Sequence, residues 1–207
     1  QPWLEVLSPG PLTTVQDEGR HGYARHGVSR SGAADSLALR MGNELLGSPS
    51  GAAGLEVAVG GLQARALAPC AVALTGADCR AVVRRAEGEG EVAARVNEVT
   101  LLREGDELTL GFSKDGARSY LCVQGGIDVP LVLGSRSTDV RAALGGVEGR
   151  ALRPGDALGR VAPPAAAGGA QAGDGMPPLL RSVHDPLRSG GGGGGRSWEL
   201  RVLPGPG

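Results

Sequence analysis

Short apolar runs separated by glycine, proline and aspartate are the feature of this chain that most constrains its fold. The runs are residues 3–7, 55–59, 71–74, 81–83, 108–110 and 120–123. Runs of this length, bounded by turn-forming residues, are typical of strands. With 37 glycines and few aromatic residues, the chain has to build its core mainly from Ala, Val and Leu. The spacing predicts a mainly β fold, arranged as a barrel or a sandwich.

One segment, residues 34–46, is predicted to be helical. Its apolar positions recur every four residues at Leu37, Met41 and Leu45. This period places them on one face of an amphipathic helix. Ser31 or Asp35 can cap its start and Gly47 can end it, while Asn43 lies off the apolar face.

A seven-residue pattern occurs twice, as LREGDEL at 102–108 and as LRPGDAL at 152–158. Pro154 and Gly155 suit the two central positions of a type II turn that leads into a strand. Turn chemistry explains every residue of the pattern, so we predict two copies of one structural turn.

The segment 119–139 reads SYLCVQGGIDVPLVLGSRSTD and combines a strand, a Gly-Gly turn and a polar cluster. The cluster consists of Ser135, Arg136, Ser137, Thr138 and Asp139. One fixed cation among three hydroxyls and a carboxylate suits an anionic or amide ligand. The same residue types are also common in turns and caps.

Composition excludes several classes of function. The formal net charge of −1 argues against nucleic acid or an anionic membrane as the main partner. No apolar run approaches the length of a membrane span, and no secretory leader pattern opens the chain. Cys70, Cys79 and Cys122 are odd in number and lack ligand spacing, which favours buried reduced thiols, and the histidines suggest no metal site. We therefore expect a cytoplasmic protein without a bound metal.

Several motifs resemble the allophanate hydrolase subunit 2 family. They are PGP at 9–11, TTVQD at 13–17, GR at 19–20, SGAAD at 31–35, LE at 55–56, TGA at 75–77 and the block at 125–139. They follow the order of the family, which includes the C subunit of 5-oxoprolinase and the carboxyltransferase domain of urea carboxylase. The resemblance implies cyclophilin-like β-barrel lobes. Ser29, Ala34 and Gly42 depart from the family pattern, and Gly42 should weaken the helix slightly.

The resemblance, together with the chemistry of the matched residues, gives a candidate site. The catalytic candidates are Asp35, Glu56, Arg136 and Asp139. The substrate-binding candidates are Ser31, Gly32, Ala33, Asn43, Thr75, Gly76, Gln124, Gly125, Gly126, Ser135, Ser137 and Thr138. We expect the helix start, the Gly-Gly turn and the polar cluster to converge on one cleft. Arg136 and backbone amides would bind an oxyanion there, and the choice of general base stays open.

Three functions from different classes remain. The first is a subunit that opens 5-oxoproline to glutamate with ATP, together with A-like and B-like partner subunits. The second is a carboxyltransferase that acts on urea or a related amide from carboxybiotin. The third is a noncatalytic regulatory binding module. ATP would act through the complex because the chain has no Walker loop, and biotin would come from another domain because Lys114 is not in a biotinyl-lysine setting.

Composition and resemblance also suggest a domain organisation. We predict a β-rich domain of the carboxyltransferase type at 1–162, a flexible Gly/Ala/Pro-rich linker at 163–197 and the start of a second lobe at 198–207. The last prediction rests on LEVLSPGP at 4–11, which is echoed by LRVLPGP at 200–206. By resemblance the chain corresponds to roughly the first two-thirds of a family protein. We therefore expect the isolated chain to be inactive.

Overall fold

The structure is a computed structural model that describes residues 2–86, 88 and 90–161. Two antiparallel sheets and one α-helix make up most of this part of the chain. The predicted linker and second lobe lie outside the described residues. The mainly β fold class with one helix is confirmed.

The larger sheet has seven strands in the order β11-β12-β1-β4-β9-β6-β7. Along the chain its strands are β1 (Pro2–Pro9), β4 (Leu62–Ala66), β6 (Ala81–Arg84), β7 (Glu91–Ala94), β9 (Glu107–Thr109), β11 (Ile127–Asp128) and β12 (Ala157–Arg160). The smaller sheet has five strands in the order β2-β3-β10-β5-β8. Its strands are β2 (Leu12–Gln16), β3 (Gly54–Ala58), β5 (Cys70–Gly76), β8 (Glu98–Leu102) and β10 (Arg118–Val123).

The main core lies between the two sheets. Alternate residues of each strand point inward, as the period of two requires. Leu55 and Val57 of β3 and Leu121 and Val123 of β10 contribute from the smaller sheet, and Trp3 contributes from the larger one. All six apolar runs of the sequence fall in these strands, with bounds that differ by one or two residues.

A second core lies on the outer face of the five-stranded sheet, where α1 (Ser36–Leu45) packs against β5 and β10. The helix contributes Ala38, Leu39 and Leu45, and the sheet contributes Ala73 and Cys122 among others. The helix covers the face of the sheet that carries part of the candidate site.

The helix begins two residues later and ends one residue earlier than predicted. Asp35 is its N-cap, because its Oδ1 accepts the Ala38 N–H at 3.0 Å. Gly47 follows the end of the helix with a left-handed φ of 62°, as predicted.

The apolar face of the helix was predicted wrongly. Leu37 is 51% exposed, whereas Asn43 is fully buried and donates to the carbonyls of Ser50 and Ala52. The face turned to the sheet includes Gly42, where a Cβ would lie 2.6 Å from Cys122 Sγ. The missing side chain lets the helix approach the strands closely, and this rotates Leu37 away from the core.

Both copies of the LRxGDxL pattern form the predicted turn. Gly105 and Gly155 have φ values of 84° and 87°, which the third position of a type II turn requires. In each copy the aspartate closes the turn by accepting a backbone N–H, from Arg103 to Asp106 at 2.8 Å and from Arg153 to Asp156 at 2.7 Å. Each turn leads into a strand, β9 or β12.

All three cysteines are buried and free, as the sequence predicts. Among the residues that the structure describes, no helix has the length and apolarity to cross a membrane.

Candidate functional site

A buried carboxylate, Asp17, joins two of the three segments that the sequence predicts to form the site. Its Oδ1 accepts hydrogen bonds from Ser135 Oγ at 2.7 Å, Ser137 Oγ at 2.5 Å and Gly19 N–H at 2.7 Å. Its Oδ2 accepts the Arg136 N–H at 2.6 Å. We call Asp17 with these four donor residues the Asp17 junction.

The Asp17 carboxylate is ionised despite its burial. Burial raises the pKa of Asp17, but hydrogen bonds from Ser137, Ser135 and the backbone N–H groups of Arg136 and Gly19 outweigh it and hold the pKa below its ordinary value. No cation contacts this carboxylate within the described ranges of the chain. The charge is therefore stabilised by neutral donors alone.

Arg20 lies beside the junction and is 2% exposed. Its Nη2 donates to the carbonyl of Ser137 and its Nε to the carbonyl of Val132 at 3.4 Å. These bonds hold the chain on either side of Arg136. The Arg20 guanidinium therefore stabilises the backbone of the polar cluster.

The segment before the helix is joined to the same junction by backbone hydrogen bonds. Ala33 N–H donates to the Asp17 carbonyl at 2.9 Å, and Arg20 N–H donates to the Arg30 carbonyl at 2.8 Å. Gly32 has a φ of 90°, and a Cβ there would lie 2.9 Å from the Gly19 nitrogen. Only glycine fits this close approach. Ser31, with a φ of 54°, also adopts the left-handed conformation.

A row of polar side chains crosses the outer face of the five-stranded sheet at the start of α1. Cross-strand pairing aligns Thr14 with Glu56, Glu56 with Tyr120, and Tyr120 with Thr75. Their inward neighbours belong to the main core, so these four side chains share the helix side of the sheet. We call these four residues the polar row.

The polar row anchors the start of α1. Glu56 Oε2 accepts the Tyr120 hydroxyl and the Ala34 N–H, each at 2.7 Å. The Tyr120 oxygen accepts the Asp35 N–H at 2.7 Å, and Thr75 Oγ1 donates to the Ala38 carbonyl at 2.6 Å. The Asp35 backbone and the Glu56 carboxylate are thus linked through Tyr120, while the Asp35 carboxylate caps the helix at Ala38.

Two charged or ionisable groups complete this part of the site. Arg118 Nε lies 3.3 Å from Glu56 Oε1, an ion pair by distance without the alignment of a hydrogen bond. Burial raises the pKa of Tyr120, the Asp35 N–H opposes that rise, and the hydrogen bond to Glu56 adds to it. The phenol therefore stays protonated and donates to Glu56 throughout the physiological range.

A cavity of about 580 Å³ lies near Arg136, which does not line it but contacts one of its lining residues. Arg136 Nη2 is 3.2 Å from Oδ1 of Asp128, an exposed carboxylate that lines the cavity. Segments 128–132 and 143–149 supply most of the wall. Leu133, Ala143 and Glu148 have positive φ values in this region. Such strained backbone is concentrated at functional sites in many proteins.

The polar cluster itself is committed to contacts within the protein. Ser135, Ser137 and Thr138 are buried, and the Thr138 hydroxyl donates to the Val15 carbonyl at 3.0 Å. Asp139 Oδ1 accepts the N–H groups of Arg141 and Ala142, both at 3.1 Å. In this structure these side chains position the backbone around Arg136.

The remaining candidates lie elsewhere in the fold. Gly125 N–H donates to Ser48 Oγ at 2.9 Å, and Gly126 packs against Ala52 and Ala53, in the loop that follows α1. Asn43 also holds this loop, and Gly76 ends β5 beside the Arg118 carbonyl. Gln124 lines a separate cavity with three arginines. The Gly-Gly turn is therefore bound to the loop after the helix, whereas the other two segments meet at Asp17.

Sequence reasoning did not select Asp17, Arg20, Tyr120 or Asp128 for the site. Asp17 and Arg20 stand in motifs that carry the family resemblance. Those motifs were the sequence signal that could have identified their buried polar roles. Tyr120 sits in an apolar run, and nothing local indicates that its hydroxyl bonds Glu56. In the described part of the chain, no group of His, Cys, Asp or Glu side chains could hold a metal ion.

Comparisons with known proteins agree with this architecture. A family model described as carboxyltransferase domain, subdomain A and B, matches residues 26–207. The chain is 43% identical over 155 residues to the C subunit of 5-oxoprolinase from Escherichia coli (strain K12), a match that covers 75% of this chain and 48% of that protein. It is 38% identical over 156 residues to urea amidolyase of Lachancea kluyveri, covering 75% of this chain and 8% of that protein.

A solved structure shares the fold. The crystal structure of the K. lactis urea amidolyase matches 76% of this chain and 9% of its own chain, with a TM-score of 0.71 at 38% identity. The chain spans about half the length of the 5-oxoprolinase component that it resembles. The resemblance predicted from the motifs is confirmed. The chain belongs to the family of the carboxyltransferase domain, subdomain A and B.

Proposed function

We propose that this chain is part of a subunit of an ATP-dependent 5-oxoprolinase, which opens 5-oxoproline to glutamate together with A-like and B-like subunits. The observation that carries the proposal is the setting of Arg136. Its backbone N–H donates to Asp17, and its guanidinium pairs with Asp128, an exposed carboxylate that lines a cavity of about 580 Å³. The 43% identity to the C subunit of a 5-oxoprolinase favours this substrate class.

Opening a lactam needs stabilisation of charge on the carbonyl oxygen. Water adds to the carbonyl carbon, negative charge develops on its oxygen, and the C–N bond breaks as nitrogen takes up a proton. A preorganised cation beside that oxygen lowers the barrier. Arg136 fits this role because its pairing with Asp128 is a partly solvated contact that a substrate oxyanion can replace.

The proposal gives the other candidates supporting roles. Asp35 and Glu56, held by Tyr120 at the start of α1, would bind the substrate N–H or orient water. Ser135, Ser137 and Thr138 would act through the backbone that they hold. ATP is assigned to the complex, because the sequence has no Walker loop.

The test is an assay of the full protein with its partner subunits. We expect ATP hydrolysis that depends on 5-oxoproline and releases glutamate in equal amount. Arg136→Ala should lower turnover about tenfold or more, the loss of one charge-stabilising contact in the transition state. Arg153→Ala is the matched control, since that side chain is exposed and does not line the cavity. Unchanged turnover in a folded Arg136→Ala complex would contradict the role of Arg136.

A biotin-dependent carboxyltransferase is a second candidate, because the matching family model and the urea amidolyase relatives favour it. In that reaction Arg136 would stabilise charge on urea or a related amide during carboxyl transfer from carboxybiotin. Lys114 stands in FSKDG, so a biotin group would come from another domain. Bicarbonate-dependent ATP hydrolysis with urea and a biotinylated carrier, in place of glutamate release, would favour this second candidate.

A further inference from the structure

A second cavity, of about 470 Å³, lies away from the Asp17 junction and shares no lining residue with the cavity near Arg136. Its polar wall consists of Arg85, Arg103, Arg160 and Gln124. Cys70 and Leu102, a cross-strand pair of β5 and β8, form part of an apolar wall. We call it the arginine cavity. Its volume falls in the range of small-molecule sites.

The lining of the arginine cavity carries positive charge. Three arginines line it, and no acidic residue does within the described part of the chain. Asp106, which is almost completely buried, pairs with Arg85 at 2.5 Å and offsets the charge of that arginine. No carboxylate of the described residues pairs with Arg160, so an anion at the cavity would meet its charge directly.

Two of the polar groups are suited to a ligand for different reasons. Arg85 is preorganised, because Nη1 is fixed by the Leu101 carbonyl at 3.0 Å and by Asp106. The side chain of Arg160, at the end of β12, has no hydrogen bond or ion pair with the residues that the structure describes. Arg160 is half-buried, so part of its hydration is already lost.

The remaining lining residues limit the chemical class of ligand that the cavity can bind. Burial raises the pKa of the Cys70 thiol to about 12, so this group stays neutral and adds no negative charge. Pro69, Ala71 and Leu102 offer apolar contact. A guanidinium fork binds a carboxylate through two parallel hydrogen bonds, and an apolar wall suits a short carbon chain better than a small hydrated ion.

We propose that the arginine cavity binds a small organic carboxylate of amino-acid size, with Arg160 as the principal cation and Gln124 as an adjustable hydrogen-bond partner. This site is separate from the Arg136 region and does not depend on the proposed reaction. Gln124 belongs to the block that the sequence analysis selected, and this cavity gives its side chain a ligand contact that the Asp17 junction does not.

The test is isothermal titration calorimetry of the full protein at constant ionic strength. The probes are acetate, butyrate, glutarate, glutamate, 5-oxoproline and inorganic phosphate. We expect one carboxylate per chain to bind, with affinity rising from acetate to the longer acids as the apolar wall is filled. Arg160→Gln should weaken binding about tenfold or more, and Gln124→Leu should weaken it less. Arg153→Gln, which removes an exposed arginine outside the cavity, is the control with unchanged affinity.

Amide chemical shifts locate the bound probe. Binding should change the amide chemical shifts of Gln124, Arg160 and Cys70 and leave that of Arg136 unchanged. Absence of binding by every carboxylate up to about 10 mM, in the range of negligible affinity, would overturn the proposal. Equal loss of affinity in Arg160→Gln and Arg153→Gln would also overturn it, because the effect would then be general charge screening. Phosphate binding more tightly than every organic acid would overturn the assignment to carboxylates.

Discussion

The Asp17 junction and the Asp156 turn both use a carboxylate to hold a loop, but they stabilise its charge differently. Asp17 is 8% exposed and receives its hydrogen bonds from neutral hydroxyl and backbone groups. Asp156 is paired by both terminal nitrogens of Arg150, at 2.8 and 3.0 Å, near solvent. Water can replace part of the second network and none of the first. The comparison indicates that the buried junction fixes the backbone at Arg136, whereas the Asp156 turn stabilises only its own loop.

The largest expected effect is that of Asp17→Ala. The substitution removes the acceptor of two buried hydroxyls, those of Ser135 and Ser137, and of the partly buried N–H groups of Arg136 and Gly19. We expect a loss of about 3 kcal/mol or more in the free energy of unfolding, measured by urea denaturation. Ser137→Ala removes one donor to the carboxylate and the acceptor of the Asp17 N–H, and should cost about 2 kcal/mol. An Asp17→Ala loss no larger than that of Asp156→Ala would break the comparison.

Asp106 and Asp156 occupy equivalent turns and provide a graded test. Asp106 is 1% exposed and accepts bonds from Arg103 N–H, Ala86 N–H and Arg85. Asp106→Asn should therefore cost about 2 kcal/mol, and Asp156→Asn about 1 kcal/mol, because burial increases the cost of a lost acceptor. Equal losses in the two variants, measured by the same denaturation, would show that burial does not determine the loss in the free energy of unfolding.

A smaller difference in the free energy of unfolding should appear at acidic pH. Hydrogen bonds from Arg150 are the main cause that lowers the pKa of Asp156 below 3.8, and burial opposes them. A depressed pKa gives stability that is present above the unfolded value and is lost as pH falls through the folded one. The stability difference between the native protein and Asp156→Asn should therefore shrink below about pH 4. Denaturation at a series of pH values checks this, and a difference that stays constant would contradict the pairing.

The smallest effect is expected at the surface. Arg84 pairs with Glu107 on the larger sheet, and the Arg84 side chain is 64% exposed. Arg84→Ala should change the free energy of unfolding by about 0.5 kcal/mol or less, and added salt should reduce the change further. A loss similar to that of Asp106→Asn would mean that exposed pairs are as important here as buried ones.

The sequence predicted the fold class well because the strands carry local patterns. Buried runs such as 120–123 and the turn glycines Gly105 and Gly155 are visible without tertiary information. β2 (Leu12–Gln16) was missed as a strand because Val15, its side chain in the main core, stands among the buried polar residues Thr13, Thr14 and Gln16. The helix face was misjudged because close packing at Gly42, a tertiary contact with Cys122, overrides the periodicity of Leu37.

The site was harder to predict because its contacts are remote in sequence. Ser135 and Ser137 bond a carboxylate about 120 positions away, and nothing near them identifies Asp17 as their partner. The motif chemistry selected the helix start and the polar cluster, which the structure joins at Asp17. The link from the Asp35 N–H through Tyr120 to Glu56 depends on strand register. Hydroxyls that looked available to a ligand are instead donors within the protein. Register and burial decide this, and neither can be derived from one sequence.

Amide hydrogen exchange in Asp17→Asn and Asp156→Asn tests the central claim most directly, that the buried Asp17 carboxylate fixes the backbone of Arg136. Arg136 N–H donates to Asp17, and Arg153 N–H donates to Asp156, so each variant has its own reporter. After correction for global stability, Asp17→Asn should speed exchange at Arg136 about tenfold or more and leave Arg153 unchanged. Asp156→Asn should do the reverse. Unchanged protection of Arg136 in Asp17→Asn would contradict the account.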